Sequence, residues 1–131
     1  MRNFFRYVGL TLVFVWFFFG GVSHFTNPQF FLAIMPPYLP FHEAAVYISG
    51  FFEVIGALGL LHSKTRRIAG LGLFALTIAV TPANLYMSMN PEAFPDVSEF
   101  FLTLRLVVQV ALLACIWYST KPVEPNESAA D

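Results

Sequence analysis

Apolar residues along this chain gather into four long runs, separated by short segments where proline, glycine and charge collect. The first run covers about Phe4 to Val22, the second Ala44 to Leu61, the third Ile68 to Met89 and the fourth Phe100 to Tyr118. Each approaches the ~20 residues that a helix needs to cross the hydrocarbon core of a bilayer. The pattern predicts an all-α protein, a four-transmembrane-helix bundle forming one domain over residues 1–119. Residues 120–131, rich in Pro, Glu and Ser, read as a disordered cytoplasmic tail.

Residues 25–41, between the first two runs, are too apolar for a solvated loop and too short for a span. Asn27 followed by Pro28 is a helix start, with a capping residue and then proline at the first helical position. Pro36 and Pro37 stop that helix. The segment is expected to form a short interfacial or re-entrant helix. A lid over an outward-facing pocket is preferred to plain lipid anchoring, because Pro36, Pro37 and Pro40 stiffen it.

The polar positions inside the runs carry the candidate chemistry. Residues three and four apart share a helix face. On the second run that face holds Ser49, Gly50, Glu53, Gly56, Ala57 and Leu60; small residues there let helices approach closely. On the third it is Thr77, Thr81, Asn84 and Ser88, and on the fourth Arg105 and Gln109. His24 closes the first run at its outer end. An ionisable group in hydrocarbon costs about 2.5–3.5 kcal/mol on insertion scales, so it persists where it is paired, wetted or used. At 1.5 Å per residue, Glu53 lies about 15 Å below the outer end of its helix and Arg105 about 8 Å below its own. The candidate ligand-binding residues are therefore Glu53, Arg105, Asn84, His24, Gln109 and Thr81. A Glu53–Arg105 ion pair that merely fixes helix packing has the same weight as a functional pocket, and the two are compatible. Pro82 frees the carbonyl of Ile78, for which Thr81 or a water is the expected donor.

Loop charge sets the orientation. Arg2 and Arg6 precede the first run, Lys64, Arg66 and Arg67 lie between the second and third, and Lys121 follows the fourth. The connections after the first and third runs hold no Lys or Arg. The positive-inside rule then puts both termini in the cytoplasm, in agreement with an even number of spans. The expected location is a bacterial inner membrane. The basic start resembles a secretory signal, but its apolar stretch is long and no A-x-A site follows, so it reads as a retained helix. Trp16, Trp117 and Tyr118 suit interfacial anchoring. The Lys64–Arg67 run is first a topology signal and second a contact for anionic lipid.

Composition narrows the class. The chain has 131 residues, 57% hydrophobic and 11% charged, against about 25% charged in an ordinary soluble domain. A net charge of −1 argues against nucleic acid. Cys115 is the one cysteine, so no intrachain disulfide forms, and it reads as a small buried hydrophobe. Metal binding by His24, His42, Glu43 and Glu53 is the weaker reading, since the spacing matches no ligand motif. Ser23 and His24 are adjacent and cannot face each other as a nucleophile and its base. No catalytic residue is assigned.

The chain resembles the DoxX family of small four-helix membrane proteins. The resemblance rests on Gly21-Val22-Ser23-His24-Phe25-Thr26-Asn27-Pro28, on Pro36-Pro37-Tyr38-Leu39-Pro40, on the stretch from Ser49 to Leu61, on Thr65-Arg66-Arg67-Ile68-Ala69-Gly70 and on Pro82-Ala83-Asn84-Leu85-Tyr86-Met87. It implies a four-helix bundle linked to redox or oxidative-stress complexes, such as a thiosulfate:quinone oxidoreductase, with assembly factors as more distant relatives. It also implies roles for Gly50 and Glu53 on the second helix, for Pro82, Ala83 and Asn84 on the third and for Arg105 on the fourth.

The expected function is then a redox-associated accessory subunit, more a partner of an enzyme than an enzyme itself. Its outward-facing polar pocket would hold a quinone or similar small ligand, or a lipid, with no covalent cofactor. Membrane lipid, a redox-enzyme subunit or other membrane protein and a second copy of the chain are the expected partners. Two alternatives stand beside it: a membrane-protein assembly or scaffold factor, and a small lipid-binding or transport protein.

Overall fold

A computed structural model describes residues 1–124. The tail expected over residues 120–131 lies largely outside the described residues; within them, Thr120 ends a helix and residues 122–124 have no regular structure. The described chain is all-helical, with no strand among the described residues. Its elements are α1 (Arg2–Thr26), α2 (Pro28–Ala33), α3 (His42–Gly59), α4 (Arg66–Ala79), α5 (Thr81–Met89), a 3-10 turn at Pro91–Ala93 and α6 (Glu99–Thr120). Three are long and apolar enough to cross a membrane: α1, the stretch Arg66–Met89 and α6. The α3 helix is not among them; His42, Glu43 and Glu53 interrupt its 18 residues.

Four antiparallel helical columns form a ring. The α1 helix packs on α3 and α6, and α4 packs on the same two, which leaves α3 and α6 on a diagonal. Neighbours run in opposite directions: the Cys115 thiol near the end of α6 meets the Gly9 carbonyl near the start of α1 at 3.6 Å. The α1–α3 contact is a close one. A Cβ on Gly21 would sit 2.8 Å from the Gly50 carbonyl oxygen and 2.8 Å from a Val54 methyl. Only a bare backbone fits there, as at small-residue helix crossings in membranes.

Two apolar clusters fill the ring at different heights. One lies toward the ends carrying Arg2, Arg66 and Lys121 and joins Leu10, Val13, Phe17, Ala57, Leu60, Leu73 and Ile116. The other lies at the opposite end and joins Ile34, Met87 and Leu102, with Phe31 and Phe94 against them. Phe31 and Ile34 come from α2 and the turn after it, so this segment is folded over the bundle end. Asn27 caps α2 by position, with Pro28 at its start, but its side chain makes no capping bond. The return into α3 passes through Phe41 at φ 56°, ψ 53°. That left-handed conformation costs an ordinary residue about 1–2 kcal/mol.

The third apolar run is not one helix. It breaks at Val80, where α4 ends and Pro82 opens α5. Proline at the first turn has no N–H to leave unpaired, so it starts a new helix there. Thr81 donates to the Thr77 carbonyl at 3.1 Å, not to Ile78 as expected. Outside the clusters the helices present apolar side chains, among them Phe19, Ile55, Ile68 and Val110, each at least half exposed. Such continuous apolar surface suits lipid as the surroundings.

Gly50→Val forces a side chain into the α1–α3 crossing and should destabilise the fold by about 1–3 kcal/mol, the usual cost of overpacking. Gly72→Ala, where an added Cβ meets nothing within 4 Å, should leave it unchanged. Thermal unfolding followed by circular dichroism in detergent reads both.

Candidate functional site

Between the two apolar clusters lies a layer of polar side chains, and they form two groups. The first joins α1 to α3. His24 is 6% exposed, and its Nδ1 lies 2.8 Å from the Val46 carbonyl. A carbonyl only accepts, so Nδ1 carries a proton and donates. The Ser49 hydroxyl donates to the same carbonyl at 3.0 Å and lies 3.2 Å from Nδ1. The other ring nitrogen, Nε2, faces Glu53 Oε2 at 3.4 Å. That contact needs one proton between the two atoms, held by imidazole or carboxyl. Either way the pair is neutral overall, which suits a place shielded from water. Phe31 of α2 stacks on the His24 ring with centroids 3.8 Å apart.

The second group joins α5 to α6. Arg105 Nη2 donates to Asn84 Oδ1 at 3.3 Å. Asn84 Nδ2 donates to Gln109 Oε1 at 2.5 Å, and Gln109 Nε2 donates to the Thr81 hydroxyl at 2.6 Å. Thr81 passes its own proton to the Thr77 carbonyl, and Thr77 donates to Leu73 at 2.7 Å. Because Arg is donor only, the first bond fixes the orientation of both amides. The relay leads from guanidinium to helix backbone in one direction. It satisfies the amides and hydroxyls but holds no anion. Among the described residues, no carboxylate lies within 4 Å of the guanidinium, and Arg105 Nε is buried without a hydrogen-bond partner.

All six sequence candidates therefore lie in this layer, but not as one cluster. The expected Glu53–Arg105 ion pair is absent among the described residues. Its cause is the ring order: α3 and α6 are diagonal, and each charge finds a partner on an adjacent helix instead. His24, at the outer end of the first run, is buried within α1, which continues to Thr26. His42 turns away, its Nε2 3.1 Å from the Pro36 carbonyl. Ser49 and Phe31 escaped the candidate set. Ser49 was legible from its place on the Glu53 face; Phe31 belongs to a separate helix and gave no periodic signal.

A family model described as a domain of unknown function (DUF8561) matches residues 13–120. The chain belongs to the DUF8561 family. The match overturns the DoxX resemblance. The runs that carried it include small residues at helix crossings and polar residues within spans, which physics imposes on many helical membrane proteins. The redox association and the quinone drew on that resemblance and have no other support. No curated protein matches the chain, and neither does any solved structure. The DUF8561 match holds every residue of the polar layer, from His24 to Gln109.

Gln109→Leu removes both amide bonds at once and strands Asn84 and Thr81. At about 0.6–1.7 kcal/mol per intramembrane hydrogen bond, the loss should fall near 1–3 kcal/mol. Chemical unfolding in detergent measures it. A variant as stable as the parent would show that the relay contributes nothing to folding.

Proposed function

We propose that the protein crosses the membrane four times and binds a small amphiphile in its polar layer, with a carbonyl or carboxylate oxygen of the ligand on Arg105. The fourth crossing is α3. Its 18 residues rise about 27 Å, close to the ~30 Å hydrocarbon thickness. It runs antiparallel to α1 and α4, so it carries the chain back across. The order of spans then leaves Arg2, Arg6, Lys64, Arg66, Arg67 and Lys121 on one side, which the positive-inside rule assigns to the cytoplasm.

The observation that carries the binding reading is the unpartnered Arg105 Nε. The His24–Glu53 pair is neutral with its shared proton, and the Asn84–Gln109–Thr81 relay supplies dipoles only. One positive charge is left over in the layer. A buried guanidinium with open donors is completed by an acceptor oxygen, most strongly by an anionic one. The ligand body would lie among apolar side chains, under the α2 segment that covers His24 through Phe31. This is a binding role, with the lid setting access from the outer side.

Native mass spectrometry of protein extracted from its own membranes tests the ligand. A bound small molecule should accompany the parent chain and be lost from Arg105→Gln, while Glu53→Gln keeps the neutral pair and retains it. A parent chain that travels empty, or an Arg105→Gln chain that keeps the molecule, defeats the reading. Topology has its own test in a Cys115→Ser background. Lys64→Cys and Asp96→Cys should react with an impermeant maleimide from opposite faces of sealed vesicles, and labelling from one face would remove α3 as a span.

A further inference from the structure

We propose that the rim between the start of α4 and the end of α6 binds a phosphate group, supplied by the headgroup of an anionic phospholipid. This site lies at the other end of the bundle from the Arg105 layer and shares only the membrane setting with it. The Arg67 guanidinium lies over the Trp117 ring at 4.5 Å, and the Lys121 ammonium lies over Tyr118 at 5.4 Å. Stacking occupies the flat face of a guanidinium and leaves its N–H edge for hydrogen bonds. That edge is unfinished: Arg67 Nη1 is buried and has no hydrogen-bond partner. Trp117 is 50% and Tyr118 37% exposed, and Arg67 and Lys121 are themselves half-buried against them.

The supporting loop is fixed rather than loose. Thr65 Oγ1 donates to the Gly59 carbonyl at 2.7 Å, and Arg66 Nε donates to the Leu60 carbonyl at 2.9 Å. The first turn of α4 holds two arginines, no acid and no side-chain cap, so nothing within that turn offsets the cations. Among the described acids only Glu124 lies toward this end. Two ring-held cations at this end of the bundle, one with an unfinished guanidinium edge, suit a phosphodiester, whose oxygens accept paired N–H donors. Anionic lipid is concentrated in the cytoplasmic leaflet, the side these residues face in the four-span reading.

The test uses purified full-length protein in detergent, with phosphatidylglycerol or phosphatidylcholine added, read by native mass spectrometry. The parent chain should retain phosphatidylglycerol over phosphatidylcholine by roughly tenfold, and Arg67→Gln with Lys121→Gln should abolish the preference. Arg105→Gln should leave it intact, which separates this site from the ligand layer. If the double variant fails to fold, Lys121→Gln alone, at the helix end, should still weaken the preference. Inorganic phosphate that displaces the lipid and raises the unfolding temperature by itself would keep the phosphate site but overturn the lipid as its source. Equal retention of both lipids, or an undiminished preference in the folded double variant, overturns the proposal.

Discussion

A guanidinium within a bundle read as intramembrane has no water to fall back on, and the half of this protein away from its basic end is arranged around that constraint. Arg105 hands its hydrogen bond to Asn84, and the bond order then runs through Gln109 and Thr81 to the backbone of α4. Each link uses a donor on one side and an acceptor on the other, so neither amide flips without breaking two bonds. The relay joins α6 to the third column between the two apolar clusters. The relay ends where the Thr81 hydroxyl bonds back to the Thr77 carbonyl one turn earlier, across the break at Val80.

The apolar clusters above and below give this layer its setting. Leu73, Ile116 and their neighbours close it on the basic side, and Ile34, Met87 and Leu102 close it on the other. Within a low-dielectric slab, dipoles and charges act more strongly than in water, and unfinished ones are costly. The His24–Glu53 pair answers this by staying neutral. Arg105 does not, and a leftover charge held by aligned dipoles differs in kind from a packing contact. This difference supports the binding reading over a purely structural one.

Much of the fold was legible from periodicity and punctuation. The four runs fall within a few residues of α1, α3, the α4–α5 column and α6, and Asn27-Pro28 marks the start of α2. The faces were legible too, since all six candidates point inward. The neighbours were not. A helical face says which way a side chain points but not which helix stands opposite, so the Glu53–Arg105 pair came from charge alone and failed on the ring order. The burial of His24 was not legible, because the hydropathy of the first run fades at Val22 while the helix continues for another turn. The DoxX resemblance failed for a related reason: glycine at crossings and amides inside spans are what lipid demands of many bundles, so they separate families poorly.

The interruption at Val80 also divides the third column mechanically. An unbroken helix resists bending because each turn is tied to the next by its hydrogen-bond ladder. Here one tie is already missing at Pro82, and the Thr81–Thr77 side-chain bond at 3.1 Å bridges the break. The α4 half is locked into the cluster on the basic side, whereas α5 is held chiefly by α6. A bend in the third column therefore costs least at this point, and it would carry Asn84 and Met87 along with α5.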